Sequence, residues 1–215
     1  MAIAFDASAV TARSDVSASL TFSHTCTGVN RILFVHILGD GLTDGITGVT
    51  YAGVAMTLVN KLQMPGGSAR WSYLYYLIAP ATGANNVIIS ASGVQSIAGA
   101  SASYTGAKQT GQPDASNTAS SGSANALTAS VTTVANQSWT VYGTLNDQGA
   151  ATMGAGATQR QSSIYGQALS DSNAAITPAG STSQTHNKTG AAWVGLIASF
   201  APAPADGGRM FAVFP

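Results

Sequence analysis

The sequence predicts an all-β protein, a two-sheet antiparallel sandwich or barrel, and three observations carry that prediction. Apolar or alternating segments recur between turn residues often enough to give about ten to twelve short strands, the spacing of sandwiches and barrels. Only 7% of the 215 residues are charged and none is glutamate, against roughly 25% charged residues in an average soluble chain. Glu and Lys are strong helix formers that coat exposed helix faces, so their scarcity argues against surface helices. The third observation is Arg31-Ile-Leu-Phe-Val-His-Ile-Leu38, a short apolar run between Thr27-Gly-Val-Asn30 and Gly39-Asp-Gly41. A run of that length bounded by turns fits a strand buried on both faces.

The elements follow in order. Ala2 to Phe5 reads as a first strand, and Val16 to Phe22 alternates apolar with hydroxyl residues like a half-exposed one. Ile46 to Tyr51 and Val54 to Val59 flank Ala52-Gly53 as a hairpin. Beyond the break at Pro65-Gly66-Gly67, Arg70 to Ile78 places Trp71, Tyr73, Tyr75 and Leu77 on one face and Leu74, Tyr76 and Ile78 on the other. Asn86 to Ser90 and Ser96 to Tyr104 read as two further strands. Lys108 to Asn125, with scarcely an apolar side chain larger than Ala, reads as a long loop. Leu127 to Val134, Ser138 to Leu145, Ser163 to Leu169 and Ala192 to Phe200 complete the set, with Asp171 to Lys188 read as mostly polar connection. One domain is expected over residues 1–201. Residues 202–215 form a Pro- and Gly-containing tail with an apolar end. The expected core includes Ile32, Phe34, Trp71, Tyr73, Leu77, Trp139, Val194 and Leu196, buried between two sheets.

Eight basic and eight acidic residues balance to zero without a run of either sign. Nucleic-acid and anionic-membrane binders carry basic patches, so neither partner is expected. A neutral surface gives little colloidal repulsion and suits packing in an assembly. Cys26 stands alone, which excludes an internal disulfide framework. The start, Met1-Ala-Ile-Ala-Phe-Asp6, lacks the basic and apolar regions of a signal peptide, so synthesis in the cytoplasm without cleavage is expected. No apolar stretch approaches the ~20 residues of a membrane span.

Chemistry has few footholds. A glycosidase pair would have to come from scattered aspartates, and no G-x-S-x-G elbow is present. His36 reads as a hydrogen-bonded core residue, His24 shares a strand face with Cys26, and His186 reads as solvated in a polar loop. Asp40 and Asp44, in Gly39-Asp-Gly-Leu-Thr-Asp-Gly45, are the metal candidates, because calcium binds oxygen ligands on such loops; the same residues are also turn formers. Trp71, Trp139 and Trp193 lie in apolar strands and so are expected in the core rather than on a sugar platform. No catalytic or cofactor residue, and no cofactor, is expected.

Four segments in order carry a resemblance: Thr27-Gly-Val-Asn-Arg-Ile-Leu-Phe-Val35; Gly48-Val-Thr-Tyr-Ala-Gly-Val-Ala-Met-Thr57; the Trp71 strand closing in Ala79-Pro-Ala-Thr-Gly-Ala-Asn-Asn-Val87; and Ser103-Tyr-Thr-Gly-Ala-Lys-Gln-Thr-Gly-Gln-Pro-Asp114. Together they resemble a widespread uncharacterised family of β-sandwich domains found in bacteriophage structural proteins and bacterial surface proteins. The resemblance implies a jelly-roll-like or lectin-like sandwich and a non-catalytic virion protein, either a capsid decoration (cement) protein or a tail or fibre component. It implies self-association, with a trimer expected by analogy with virion jelly rolls, contact with other virion proteins such as the major capsid protein, and location on the capsid or tail surface. The alternative is a carbohydrate-binding or adhesin module that takes host surface glycans. The apolar residues Met210, Phe211, Val213 and Phe214 are expected to dock the tail on a neighbouring subunit or on the particle.

Overall fold

The computed structural model describes residues 1–205 except Leu42 and Gly67, and for Val16 the backbone alone. Those residues hold fourteen strands: β1 (Ala4–Val10), β2 (Ser14–Cys26), β3 (Ile32–Asp40), β4 (Ile46–Tyr51), β5 (Val54–Ala55), β6 (Thr57–Gln63), β7 (Arg70–Ile78), β8 (Gly83–Thr105), β9 (Ala115–Thr132), β10 (Trp139–Asn146), β11 (Thr152–Met153), β12 (Thr158–Ser162), β13 (Gln167–Asp171) and β14 (Ser181–Phe200). They form two antiparallel sheets. The first runs β5-β4-β8-β3-β7-β6 with β1 and β2 also on β8; the second runs β11-β14-β10-β13-β12 with β9 on β14.

The strands are not all short. The 23-residue β8 joins two segments expected to be separate, and it bends at Ser92–Gln95. Before the bend it pairs with β4 and most of β2, and after it with β3, β1 and the start of β2 at Ser14. The bend folds the sheet over its own face. Gly99 shows how tightly: a Cβ there would lie 2.7 Å from the Phe22 ring and 2.9 Å from Ile89 of the same strand. The stretch expected as a long loop from Lys108 to Asn125 ends in β9, eighteen residues long. β9 pairs with β14 along most of its length, and the pair breaks register around Ala191. There it too turns back on itself, so that the Asn117 side-chain amide donates to the Ser130 carbonyl at 2.9 Å.

Each sheet therefore has an inner face toward the other sheet and an outer face under its own folded flap. Between the sheets lie Ile32, Phe34, Leu74 and Tyr104 of the first, against Trp139, Val141, Leu169, Leu196 and Phe200 of the second. Val194 joins Leu38 and Leu145 nearby. The Phe34 and Phe200 rings meet at 5.3 Å, and Tyr104 packs on both. The expectation that Trp71, Tyr73 and Leu77 share this seam is corrected. They face away from the second sheet and pack under the first sheet's own flap, with Leu33, Val35, Ile37, Val49, Tyr51 and Ile89. The physical reason is alternation: β7 puts Leu74, Tyr76 and Ile78 on the seam, so its other face needs a second cover.

The turn at Ala52-Gly53 forms, with both residues at positive φ (50° and 80°), the backbone a two-residue type I′ turn requires, but the second arm expected over Val54–Val59 is cut short: only Val54 and Ala55 pair with β4, and Thr57–Gln63 pairs with β7 instead. At the far end β14 stops at Phe200, where Pro202 and Pro204 interrupt donors. The chain stays fastened a little longer: Ala203 N–H donates to the Gly106 carbonyl at 2.7 Å, and the Met1 ammonium donates to the Ala203 carbonyl.

Candidate functional site

All three histidines lie inside the molecule: hydroxyls meet both ring nitrogens of His24 and His186, but only the Nε2 of His36, whose buried Nδ1 has no hydrogen-bond partner among the described residues. His24 on β2 bridges Ser101 at Nδ1 (2.8 Å) and Ser103 at Nε2 (2.9 Å), both on β8. Ser103 in turn donates to Asp6 at 2.8 Å. The residue types are those of a nucleophilic triad, but the carboxylate holds a serine rather than the imidazole. Ser101 and Ser103 are wholly buried, so no substrate carbonyl has access to either hydroxyl. Burial holds the His24 pKa down, at about 4, against the pull of Asp6. Cys26 lies on the same strand face, as its spacing implied, and burial raises its thiol.

His36 sits on the seam. Its Nε2 meets Ser72 at 2.8 Å, and its ring lies against Gly143 of β10, where a Cβ would come within 2.5 Å. Gln167 of β13 reaches across to donate to the His36 carbonyl at 2.8 Å. Desolvation, with a smaller push from His186, lowers the His36 pKa to about 3.

His186 departs from its expectation. It is not solvated in a loop but buried on β14, under the second sheet's flap. Its Nδ1 meets Thr144 at 2.6 Å and its Nε2 meets Ser170 at 2.7 Å. Ser170 and Thr140 also engage Gln184 at 2.6 and 2.7 Å. Burial lowers the His186 pKa to about 3. The missed signal was alternation: Gln184 and His186 are inward, while Ser183 and Thr185 are not, a period of two written in polar residues.

Asp40, Asp44 and Asp171 are committed to cations. Asp40 lies 3.4 Å from Arg13 and 3.3 Å from Arg70. Asp44 pairs with Lys61 and accepts from the Tyr73 hydroxyl at 2.8 Å; burial, then Asp44, raises the Tyr73 pKa. The two metal candidates are thus held apart by separate partners. Among the described residues no group of three or more His, Cys, Asp or Glu is placed to hold a metal ion. Asp171, fully buried, takes a bidentate grip from Arg160 at 2.5 and 2.9 Å, and the guanidinium covers the Phe5 ring at 3.9 Å. Burial raises the Asp171 pKa despite Arg160. Trp139 and Trp193 are in the core and Trp71 is half-buried, packed under the first flap. Met210, Phe211, Val213 and Phe214 lie outside the described residues.

The surface offers two depressions of interest. One, about 620 Å³, opens between β4 and β6 and is lined by Ile46, Val49, Met56, Leu58, Lys61 and Tyr75, among others. The other, about 370 Å³, lies between the two ends of β9 and is walled by short residues, including Ser116, Asn117, Ser130 and Thr132. Beside it the outward face of β9 and β14 sets Thr128, Ser130 and Thr132 opposite Thr185, Ser183 and Ser181. The Thr128 and Thr185 hydroxyls meet at 2.8 Å.

No family model, curated protein or solved structure matches this chain.

Proposed function

We propose that this protein is a structural component of a virion, a capsid decoration protein or a tail or fibre part, that works by packing rather than by chemistry. One observation carries the reading. The three histidines are turned inward and Asp40, Asp44 and Asp171 are neutralised, whereas the outward β9–β14 face carries short uncharged residues. His24, His36 and His186 are bound by internal hydroxyls, and Asp40, Asp44 and Asp171 face cations. Outside, the β9–β14 face offers Ser and Thr at regular spacing. A flat neutral face of this kind approaches a neighbour without charge repulsion and with little side-chain entropy to lose. The family resemblance of the four segments around the first sheet points the same way.

Mass spectrometry of particles purified from the source tests it. The reading expects this chain at a fixed, high copy number per particle; its absence from particles sinks the reading. A second reading, a glycan-binding module, draws on the hydroxyl- and amide-lined depression between the ends of β9. Glycan-array binding that is lost on Asn117→Ala would favour it over the first.

A further inference from the structure

We propose that the free edge of β2 is a docking surface for a second copy of this chain. The two β2 strands pair antiparallel about a two-fold axis at Ser23 and join two first sheets into one. The inference does not depend on the protein belonging to a particle.

Two other free edges are guarded. β6 carries Lys61 and a register shift between Leu58 and Asn60, and β12 carries Arg160 and a shift between Gln159 and Gln161. Charges and bulges are the devices that keep edges from pairing. β2 has neither where it is regular. From Ser19 to Cys26 it pairs with β8 without a shift, and no Asp, Lys, Arg or Pro stands between Asp15 and Arg31. On the side away from β8 no strand bonds to it among the described residues. Alternation tells which groups are open there. Asn86 turns its carbonyl to Ala52, on the β4 side, so Asn85 and Val87 turn theirs to β2. Their partners are His24 and Phe22. Thr21, Ser23 and Thr25 therefore aim N–H and C=O at the open side, with their side chains exposed. The series is capped at both ends. The Ser17 hydroxyl engages the N–H and the carbonyl of Ser19, and Asp6 accepts from the Thr27 N–H at 2.9 Å. Three open residues remain, centred on Ser23.

That centring selects the occupant. With Ser23 of one copy opposite Ser23 of the other, Thr21 of each falls opposite Thr25 of its mate. Each such pair exchanges two backbone bonds, roughly six in all. A second β2 offers the same open residues between the same caps, so no open group on either strand is left unmet. Self-complementarity of this kind is what a two-fold contact requires. On the outer face Thr meets Thr and Ser meets Ser, hydroxyl pairs that favour cross-strand contact, and no like charges meet. On the inner face Phe22, half-buried at the rim of the flap, comes opposite His24 of the second copy. The symmetry is two-fold, where the resemblance implied three-fold. A single strand edge covers less than a standard interface, so the association is weak.

Disulfide trapping on the full-length chain tests the register. Opposed residues that exchange both bonds lie about 5.5 Å apart at Cα, within the roughly 4.4–6.8 Å that a disulfide spans. Ser23→Cys should therefore form a covalent dimer on mild oxidation; Cys26 is buried and takes no part. Thr21→Cys is equally exposed, but its two copies stand four residues out of register, about 13 Å at ~3.3 Å per residue. It should cross-link at least tenfold more slowly. Equal rates mean random collision and overturn the proposal. Sedimentation equilibrium up to about 1 mM should show monomer and dimer. Ser23→Lys, which sets two cations against each other across the axis, should lower the association constant at least tenfold. Thr128→Lys, on the β9–β14 face, should leave it unchanged. A chain that stays monomeric at that concentration overturns the proposal. So does association weakened by Thr128→Lys and not by Ser23→Lys.

Discussion

The two flaps of this molecule close over different materials. Under the first lie Leu33, Val35, Ile37, Val49, Val87 and Ile89, with Tyr51 and Tyr73 placing their hydroxyls at the rim, and His24 at the margin. Under the second, His186, Gln184, Ser170, Thr140 and Thr144 form one hydrogen-bonded set, with Tyr142, Val131 and Ile197 beside it. The strand geometry is alike: a long strand bends, and its first or last half covers its own sheet. The difference lies in how position is specified. Hydrocarbon is held by volume and shape, with little penalty for sliding, whereas a buried polar set is stable only when every member finds its partner. The second flap therefore has one register, fixed by the donors on β10 and β13. The first has latitude, which is where the open groove lies.

The sharpest contrast is with the seam that both sheets share. Phe34 is fully buried against Tyr104 and Phe200, and Phe34→Ala should cost about 3–5 kcal/mol, measured by urea unfolding. A loss under ~1 kcal/mol would mean that the two sheets do not rely on one another. Next are two isosteric exchanges that swap the character of the flaps. Thr144→Val removes the hydroxyl facing His186 Nδ1 and should cost about 1–3 kcal/mol, since a buried ring nitrogen loses its partner. Val35→Thr puts a hydroxyl into hydrocarbon and should cost about 1–2 kcal/mol. If Thr144→Val proves neutral, the polar set contributes no specificity and the contrast between the flaps fails. Smallest is Thr128→Val on the outward face, where the cost should stay within ~0.5 kcal/mol, as for most exposed sites.

Much of this architecture is legible in residues with size. Arg31–Leu38 and Arg70–Ile78 state both their strand character and their two faces, because large apolar side chains alternate or fill the run. The Ala52-Gly53 turn is equally plain. What cannot be read is β9. Its first half, Ala115 to Ala124, is Ala, Ser, Asn, Thr and Gly, residues that are at home in loops, and its strand state comes from the backbone ladder that β14 offers. The union of Asn86–Ser90 with Ser96–Tyr104 into one bent strand is likewise a tertiary fact, set by β3 and β4 pairing end to end along β8. His186 was hidden for a different reason. A polar interior erases the hydrophobic period that marks a buried strand, so a core residue looks like a solvated one.

The histidines tie these points together through pH. In the unfolded chain each titrates near 6.5; in the fold the values fall to about 4 for His24 and about 3 for His36 and His186. Below pH 6.5 the unfolded state therefore binds more protons than the native one. The stability these groups contribute is complete above 6.5 and is lost as pH falls toward 4 and then 3. With all three acting, the slope near pH 5 approaches roughly 4 kcal/mol per pH unit. Asp171, whose folded pKa is raised, works in the opposite sense above the ordinary carboxylate value.

The central claim is that these imidazoles are interior hydrogen-bonding parts and not surface groups available for chemistry. Imidazole ¹⁵N NMR of the native protein across pH 7.5 to 4.5 reads it directly. The account predicts that His36 and His186 stay neutral throughout, each with one protonated ring nitrogen, and that His24 begins to titrate only at the acid end. Any of the three titrating near pH 6.5 while the protein remains folded would contradict it.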